Sequence, residues 1–458
     1  MTRKWWVLSA VACGTFMATL DSSIVNIALP TLTKELGADL DRVKWVVIAY
    51  LLVITCLLLP FGLLSDQKGR KPVFQIGFLV FVLGSALCGL ALNLPLLVFF
   101  RMIQAMGASM LMANGPAIIT STFSSKERGT ALGTLAMVVS AGLMMGPSLG
   151  GFLIGKLGWR SIFWINVPIG MVGIFLVEVF IKKTGPTRRH GSFDWAGTFL
   201  QTILLLLFIG IFGSPIKLEA TRSVTLLRWL GFALLMGLSM LFIRVEAAAK
   251  APLFDLSLFK HRTFWTSILA SFLTFVAFSS VTVLMPFFLQ EALHFSPQKA
   301  GFFMTAIPVI IFMVAPLSGR LSDRFGSRGL SSTGSGVGMM GLWLMSGMMG
   351  TELREVSSQW IIVSTLGLIG LAIGLFQSPN NSAIMGSVPM AKLGVASALL
   401  ATVRNLGLVT GTGLSTALFT WRYTETGDFI SSFRTTLFIA GLIAAAAFTA
   451  TLGKSKSS

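Results

Sequence analysis

Three ionisable side chains fall deep inside long apolar runs of the sequence: Asp21, Arg101 and Arg404. Asp21 is the only acid so placed. Ionisable groups in an apolar medium are expensive and mark either a function or a pairing. A buried carboxyl group is a candidate proton carrier, because desolvation favours its neutral form and a nearby guanidinium favours its charged form. Switching that contact would couple protonation to shape. The same contact, permanently closed, would be a structural ion pair holding two helices together. Helical rise puts Asp21 about 12 Å and Arg101 about 9 Å from the same side of their runs, so the two can meet at one depth. Arg404 enters from the other side and reaches roughly 16 Å, near a bilayer midplane. Glu178 stands four residues before Lys182 at the end of its run and reads as a helix-end ion pair. No cluster of His, Cys or paired acids shares one depth, so neither a metal site nor a membrane-embedded enzyme is expected. Cys13, Cys56 and Cys88 lie in apolar runs without metal-ligand spacing.

Softer features surround these charges. Asn26, Gln104, Asn114, Gln377 and Asn380 are uncharged polar groups within or at the ends of apolar runs, as are Asn381 and Asn405. Met102, Met106 and Met110 form a stripe, and so do Phe272, Phe275 and Phe278. Flexible thioethers and aromatics suit a cavity for varied apolar ligands. Asn26, Gln104, Met106, Asn114, Phe275, Phe278, Gln377, Asn380 and Arg404 are therefore the candidate cavity lining. The bland reading of the same residues is lipid-facing filler and hydrogen bonding between helices. A further run reads GLMMGPSLGG, with Gly142, Gly146 and Gly150 on one face and Gly151 beside them. Small residues on one face let helix backbones approach closely. Pro147 removes a backbone donor and favours a bend, so this helix reads as a tight, bent seal between halves or as simple close packing.

The elements that must position these residues are long helices. Of 458 residues, 54% are hydrophobic and only 11% charged, against about 25% charged in a soluble domain. Many uncharged windows reach the roughly 20 residues needed to cross the hydrocarbon core. Backbone inside a bilayer must satisfy itself, and long uncharged runs without alternation mean helices. The expected fold class is an all-α polytopic membrane protein. Fourteen spans are expected, near 5–29, 44–64, 72–92, 95–119, 130–154, 161–181, 196–213, 226–245, 263–289, 299–318, 329–350, 359–381, 393–419 and 433–452. The first run, behind Arg3 and Lys4, is too long for a cleaved leader and reads as a permanent span. An even count puts both termini on one side. With the termini cytoplasmic, the inner segments carry nearly twice as many Lys and Arg as the outer ones. The net charge of +18 is therefore mostly topology, and nucleic acid is not an expected partner.

A short charged turn occurs twice. Gly62–Lys71 reads GLLSDQKGRK and Gly319–Arg328 reads GRLSDRFGSR, with Gly62/Gly319, Asp66/Asp323 and Gly69/Gly326 in register. The same turn at the same place in each half is the mark of an internal repeat. It implies an N-terminal six-helix bundle over 1–182, a linker with two additional helices over 183–250, and a C-terminal six-helix bundle over 251–458.

These motifs carry a resemblance. Gly62–Lys71 resembles the signature turn after the second helix of the major facilitator superfamily. LDSSIVNIALP (Leu20–Pro30), RMIQAMG (Arg101–Gly107) and Gly142–Gly151 are similar to the first-, fourth- and fifth-helix motifs of its fourteen-helix drug–proton antiporter branch. WRSIFWINVPIG (Trp159–Gly170), FDWAG (Phe193–Gly197), SPNNSAIMG (Ser378–Gly386) and RNLGLVTG (Arg404–Gly411) resemble that branch too. Ala105 departs from it, standing where the fourth-helix motif usually has Gly.

The resemblance implies the major facilitator fold and a proton-coupled antiporter that exports amphipathic drug-like or toxic compounds, a multidrug-efflux and antibiotic-resistance function. Asp21 and Arg101 would couple the proton. Gly62, Asp66, Gly69, Arg70 and Lys71, with Asp323, would form a conformational latch. Gly142, Gly146, Pro147, Gly150 and Gly151 would form the antiporter helix. The C-terminal half lacks a membrane-embedded acid, which disfavours dication export. No cofactor is implied beyond the proton gradient. The implied partners are membrane lipids, protons and a small amphipathic substrate, with an envelope adaptor protein left open. A monomer in the cell membrane (cytoplasmic or inner), crossing it many times, is expected. A lipid or fatty-acid exporter of the same fold is the alternative, and a non-transporting sensor would need a sealed centre.

Overall fold

The computed structural model describes residues 3–123, 125–182, 195–212, 222–248, 256–350, 355, 358–388 and 393–453. Among them there is helix and no strand. The helices are α1 (Arg3–Glu35), α2 (Leu40–Val43), α3 (Trp45–Lys68), α4 (Arg70–Gly89), α5 (Leu94–Thr122), α6 (Ser125–Leu157), α7 (Ser161–Trp164) and α8 (Asn166–Phe180). They continue with α9 (Trp195–Phe212), α10 (Arg222–Ala248), α11 (Arg262–Phe287), α12 (Pro297–Met304), α13 (Ala306–Phe325), α14 (Ser327–Met348), α15 (Gln359–Gly386), α16 (Leu393–Thr426) and α17 (Phe429–Leu452). Among the described residues, nine helical segments are long and apolar enough to cross a membrane.

Local chemistry sets the helix starts. Asn93 caps α5 by accepting the Leu96 N–H at 3.0 Å, and Asp428 caps α17 by accepting that of Ile430 at 2.9 Å. The repeated charged turn has one backbone device in both copies. Gly69 separates α3 from α4 at φ +95°, and Gly326 separates α13 from α14 at φ +84°. Only glycine adopts that conformation without strain.

The chain forms two units, one of Met1–Phe193 with Phe295–Thr305, the other of Asp194–His294 with Ala306–Ser458. Within the first, α1 packs on α6 and α8, α4 on α5 and α8, and α3 on α5. Within the second, α11 packs on α16 and α17, α14 on α15 and α17, and α13 on α15. The pairings are the same, helix for helix, so the sequence repeat extends to packing. Two features lack a counterpart: α9 and α10 pair with each other in the second unit, and α12 packs on α6 in the first. Large apolar side chains such as Leu83, Phe175 and Phe302 stand exposed, as expected where lipid rather than water is the neighbour.

Candidate functional site

The charged residues predicted to meet do so in the first unit. Asp21 on α1 and Arg101 on α5 are both fully buried, and Arg101 Nη1 donates to Asp21 Oδ2 at 2.5 Å. Gln104, one turn on from Arg101, donates through Nε2 to Asp21 Oδ1 at 2.8 Å and accepts from Arg101 Nη1 at 2.6 Å. Asn166, the first residue of α8, donates to Asp21 Oδ1 at 2.9 Å. Ser85 on α4 ties the two amides together, its Oγ accepting from Gln104 at 2.5 Å and from Asn166 at 2.9 Å. Gly84 makes room for this approach: a methyl there would lie 2.6 Å from the Gln104 backbone. The guanidinium is held on its other side by the Val46 carbonyl, which accepts from Nε at 3.2 Å, and by the Tyr50 ring 3.9 Å from Cζ. Four helices of the first unit thus converge on one carboxylate.

The arrangement has a definite chemistry. Asp21 accepts three donors, one of them cationic, so its charged form is well solvated by protein. The Asn166 Oδ1 atom is buried and has no hydrogen-bond partner among the described residues. Such an orphan acceptor in a polar cluster is costly unless another state uses it.

Ser85, Asn166 and Tyr50 were not singled out from the sequence. Asn166 lies within the WRSIFWINVPIG run, but neutral polar residues recur in many spans and only the fold selects this one. Gln104, a candidate cavity residue, is wholly buried in the Asp21 cluster. Asn114 is also buried and donates to the Met110 carbonyl at 2.7 Å. Asn26 donates to the Ser22 carbonyl at 3.3 Å, and Met106 is exposed. In the second unit Asn380 donates to the Ser267 carbonyl at 3.2 Å, Phe278 is buried against Gly338, and Gln377 is half-buried. Arg404 lies 5.9 Å from the ring of Phe275, without a hydrogen bond or ion pair among the described residues.

The glycine stripe of α6 packs on α1. Added methyls at Gly142, Gly146 and Gly150 would meet Thr19, Ser23 and Ile24 at 2.2, 2.4 and 2.7 Å. Gly151 instead abuts α12, where a methyl would lie 2.3 Å from the Pro297 carbonyl oxygen. Ser148 and Thr305 hydrogen-bond beside it. Pro147 lies within α6, which continues through it. Of the latch residues, Arg70 donates to the Ala117 carbonyl at 2.6 Å, and the side chains of Asp66 and Asp323 lie outside the described residues. Among the described contacts there is no Glu178–Lys182 pair. Glu178 instead meets Lys71 at 3.3 Å and Gln75 at 2.9 Å, because α8 runs beside α4 and brings the start of that helix within reach. Among the described residues no group of His, Cys, Asp and Glu is placed to hold a metal ion.

A family model described as "Major Facilitator Superfamily" matches residues 11–412. The chain belongs to this superfamily. Among curated relatives, the riboflavin transporter RibZ of Clostridioides difficile is 36% identical, over 94% of this chain and 91% of that protein. Multidrug resistance protein Stp of Mycobacterium tuberculosis is 29% identical over 90% of this chain and 76% of its own length. Among solved structures, a bacterial homologue of the human lysosomal transporter Spinster, inward-facing and unoccupied, superposes with a TM-score of 0.69 at 14% identity, covering 99% of this chain and 98% of that one. As a member of the major facilitator superfamily the protein is a polytopic membrane transporter and not an enzyme.

Proposed function

We propose that the protein is a proton-coupled antiporter that exports amphipathic compounds by alternating access between two six-helix bundles. Fourteen spans with cytoplasmic termini, in the cell membrane, complete this reading. The observation that carries it is the fully buried Asp21 carboxylate, held at once by Arg101, Gln104 and Asn166. Protonation would cancel the charge facing Arg101 and leave a buried cation without a counter-ion. Such a broken pair costs about 3–5 kcal/mol. That cost drives the surrounding helices to a new arrangement, and substrate binding in that arrangement favours proton release. The Asp66 turn acts as the latch between states, and the gradient supplies the energy with no cofactor.

Cargo is amphipathic and non-dicationic. Relatives named as multidrug and antibiotic exporters support this class, and the 36% identity to a riboflavin transporter makes a flat heteroaromatic cargo the second reading. A lipid or fatty acid is the further alternative. Proteoliposome flux of riboflavin, of a cationic dye and of a fatty acid, each with and without an imposed pH gradient, separates the three. Acceleration of none of them by the gradient would refute proton coupling for these cargo classes.

A further inference from the structure

The first unit holds a cavity that shares Arg70 with the latch turn and is otherwise unused by the transport reading. It has a volume of about 280 Å³ and is lined by Arg3, Lys4, Arg70 and Lys182, with Ser121 and Thr122 supplying hydroxyls. These residues come from the start of α1, the start of α4, the end of α5 and the segment just after α8. Four helix ends at one level place the cavity where a bilayer gives way to its headgroups. Trp6 stacks on Phe180 beside it at 4.9 Å, the type of aromatic contact that belongs to that level.

The cations are positioned. Arg3 Nε donates to the Phe180 carbonyl at 3.1 Å, and Arg70 Nη1 to that of Ala117 at 2.6 Å, so main-chain oxygens aim both guanidinium groups. Lys4 pairs with Glu127, and Lys182 makes no bond among the described residues. Glu178 is the other acid nearby, and it is engaged with Lys71. Among the described residues Arg3 and Lys182 meet no acid, which leaves positive charge at the mouth of a small cavity whose walls, with Val7, Ile118, Phe180 and Ile181, are largely apolar. A cavity of this size, cationic at its mouth and apolar along its walls, can seat a headgroup with the start of its acyl chains. Guanidinium and ammonium groups converging at headgroup level are the chemistry that recognises a phosphate ester.

We propose that this cavity binds the phosphate headgroup of an anionic phospholipid, holding the ends of α1, α4, α5 and α8 together. The site is independent of the proton reading. The test is native mass spectrometry of the full-length protein released from mixed micelles. Phosphatidylglycerol is offered against phosphatidylcholine of the same chains, and glycerol 1-phosphate is offered in free solution. Phosphatidylglycerol should be retained in preference to phosphatidylcholine, and glycerol phosphate should not be retained. Lys182→Gln should weaken that retention about fivefold, and adding Arg3→Gln should weaken it further by a similar factor. Lys156→Gln, at the far end of α6 and outside the cavity, should change nothing. Lys182→Gln breaks no bond seen here, so it tests the site even if Arg3→Gln misfolds. Equal retention of the two lipids, equal binding of glycerol phosphate, or an equal effect of Lys156→Gln would each overturn the proposal.

Discussion

Replacing Asp21 by Asn keeps the size of the side chain and removes its charge. The amide oxygen can still accept from Gln104 and Asn166, now at 2.8 and 2.9 Å from the carboxylate. Its NH₂ then faces Arg101 Nη1, which stands 2.5 Å from the present oxygen, donor against donor. Arg101 keeps the Val46 carbonyl, Gln104 Oε1 and the Tyr50 ring, and loses its counter-ion. An uncompensated half of a buried pair costs about 3–5 kcal/mol. About 5.5 kcal/mol carries a two-state equilibrium from 1:99 to 99:1, so a loss of this size covers most of that range and biases the transporter strongly toward one facing state without locking it there.

The assay is reconstituted flux with an imposed pH gradient, beside exchange of the same substrate at equal pH. Asp21→Asn should abolish accumulation against a concentration gradient while leaving downhill exchange measurable. Adding Arg101→Gln should recover part of the lost thermal stability, because the second change removes the charge that the first left unpaired. A double-mutant cycle on melting in detergent should give a coupling energy above about 1 kcal/mol. Gradient-driven accumulation at the wild-type rate in Asp21→Asn would remove this carboxylate from the mechanism. Strictly additive losses would show that the observed pair is not an energetic unit.

Further expectations follow from the same geometry. Asn166→Asp replaces a donor to Asp21 by a second carboxyl and should lower the melting temperature; an unchanged melt would separate Asn166 from the cluster. Gly151→Ala pushes a methyl to 2.3 Å from the Pro297 carbonyl oxygen and should lower stability by about 1–3 kcal/mol by overpacking. Gly237→Ala, with nothing within 4 Å, should be neutral or mildly stabilising by thermal melting, and matching losses at both sites would contradict the packing argument. Gly69→Ala forces a side chain into φ +95° and should cost roughly 1–2 kcal/mol. Asp66→Ala in the same turn should slow conformational exchange without changing which cargo is carried, so a pure change of specificity would count against a latch.

Charge made part of this site legible from sequence. An acid and an arginine inside apolar runs are few enough to name, and helical rise alone put them at compatible depths. Their neutral partners were hidden, because Ser85 and Asn166 are ordinary spanning residues until α4 and α8 are packed against α1. The α6 stripe shows the same division. Spacing put Gly142, Gly146 and Gly150 on one face, but nothing in the spacing says that α1 receives them. Glu178 shows where a local rule fails: Lys182 lies at the right interval, yet Lys71 reaches the carboxylate across the helix pair. The repeat was visible in two short turns, and the matched helix pairings extend it through both units.

The shell around Asp21 contains two kinds of partner, and the difference sets how a proton would act in the proposed cycle. Gln104 and Asn166 each carry a donor and an acceptor on one planar group, so by rotating they can serve a carboxylate or a carboxylic acid. Asn166 has its acceptor to spare, buried and without a partner among the described residues. Arg101 has only donors and cannot lose its proton, so it has no favourable arrangement beside a neutral acid. In the proposed cycle the amides would accommodate the neutral form of Asp21, while the guanidinium would make the present helix arrangement unfavourable. A site built of amides alone would take up a proton without consequence. A site built of Arg101 alone would resist taking one up. In the proposed cycle the combination would tie proton occupancy to the relative positions of α1 and α5, the coupling that such an exchanger needs.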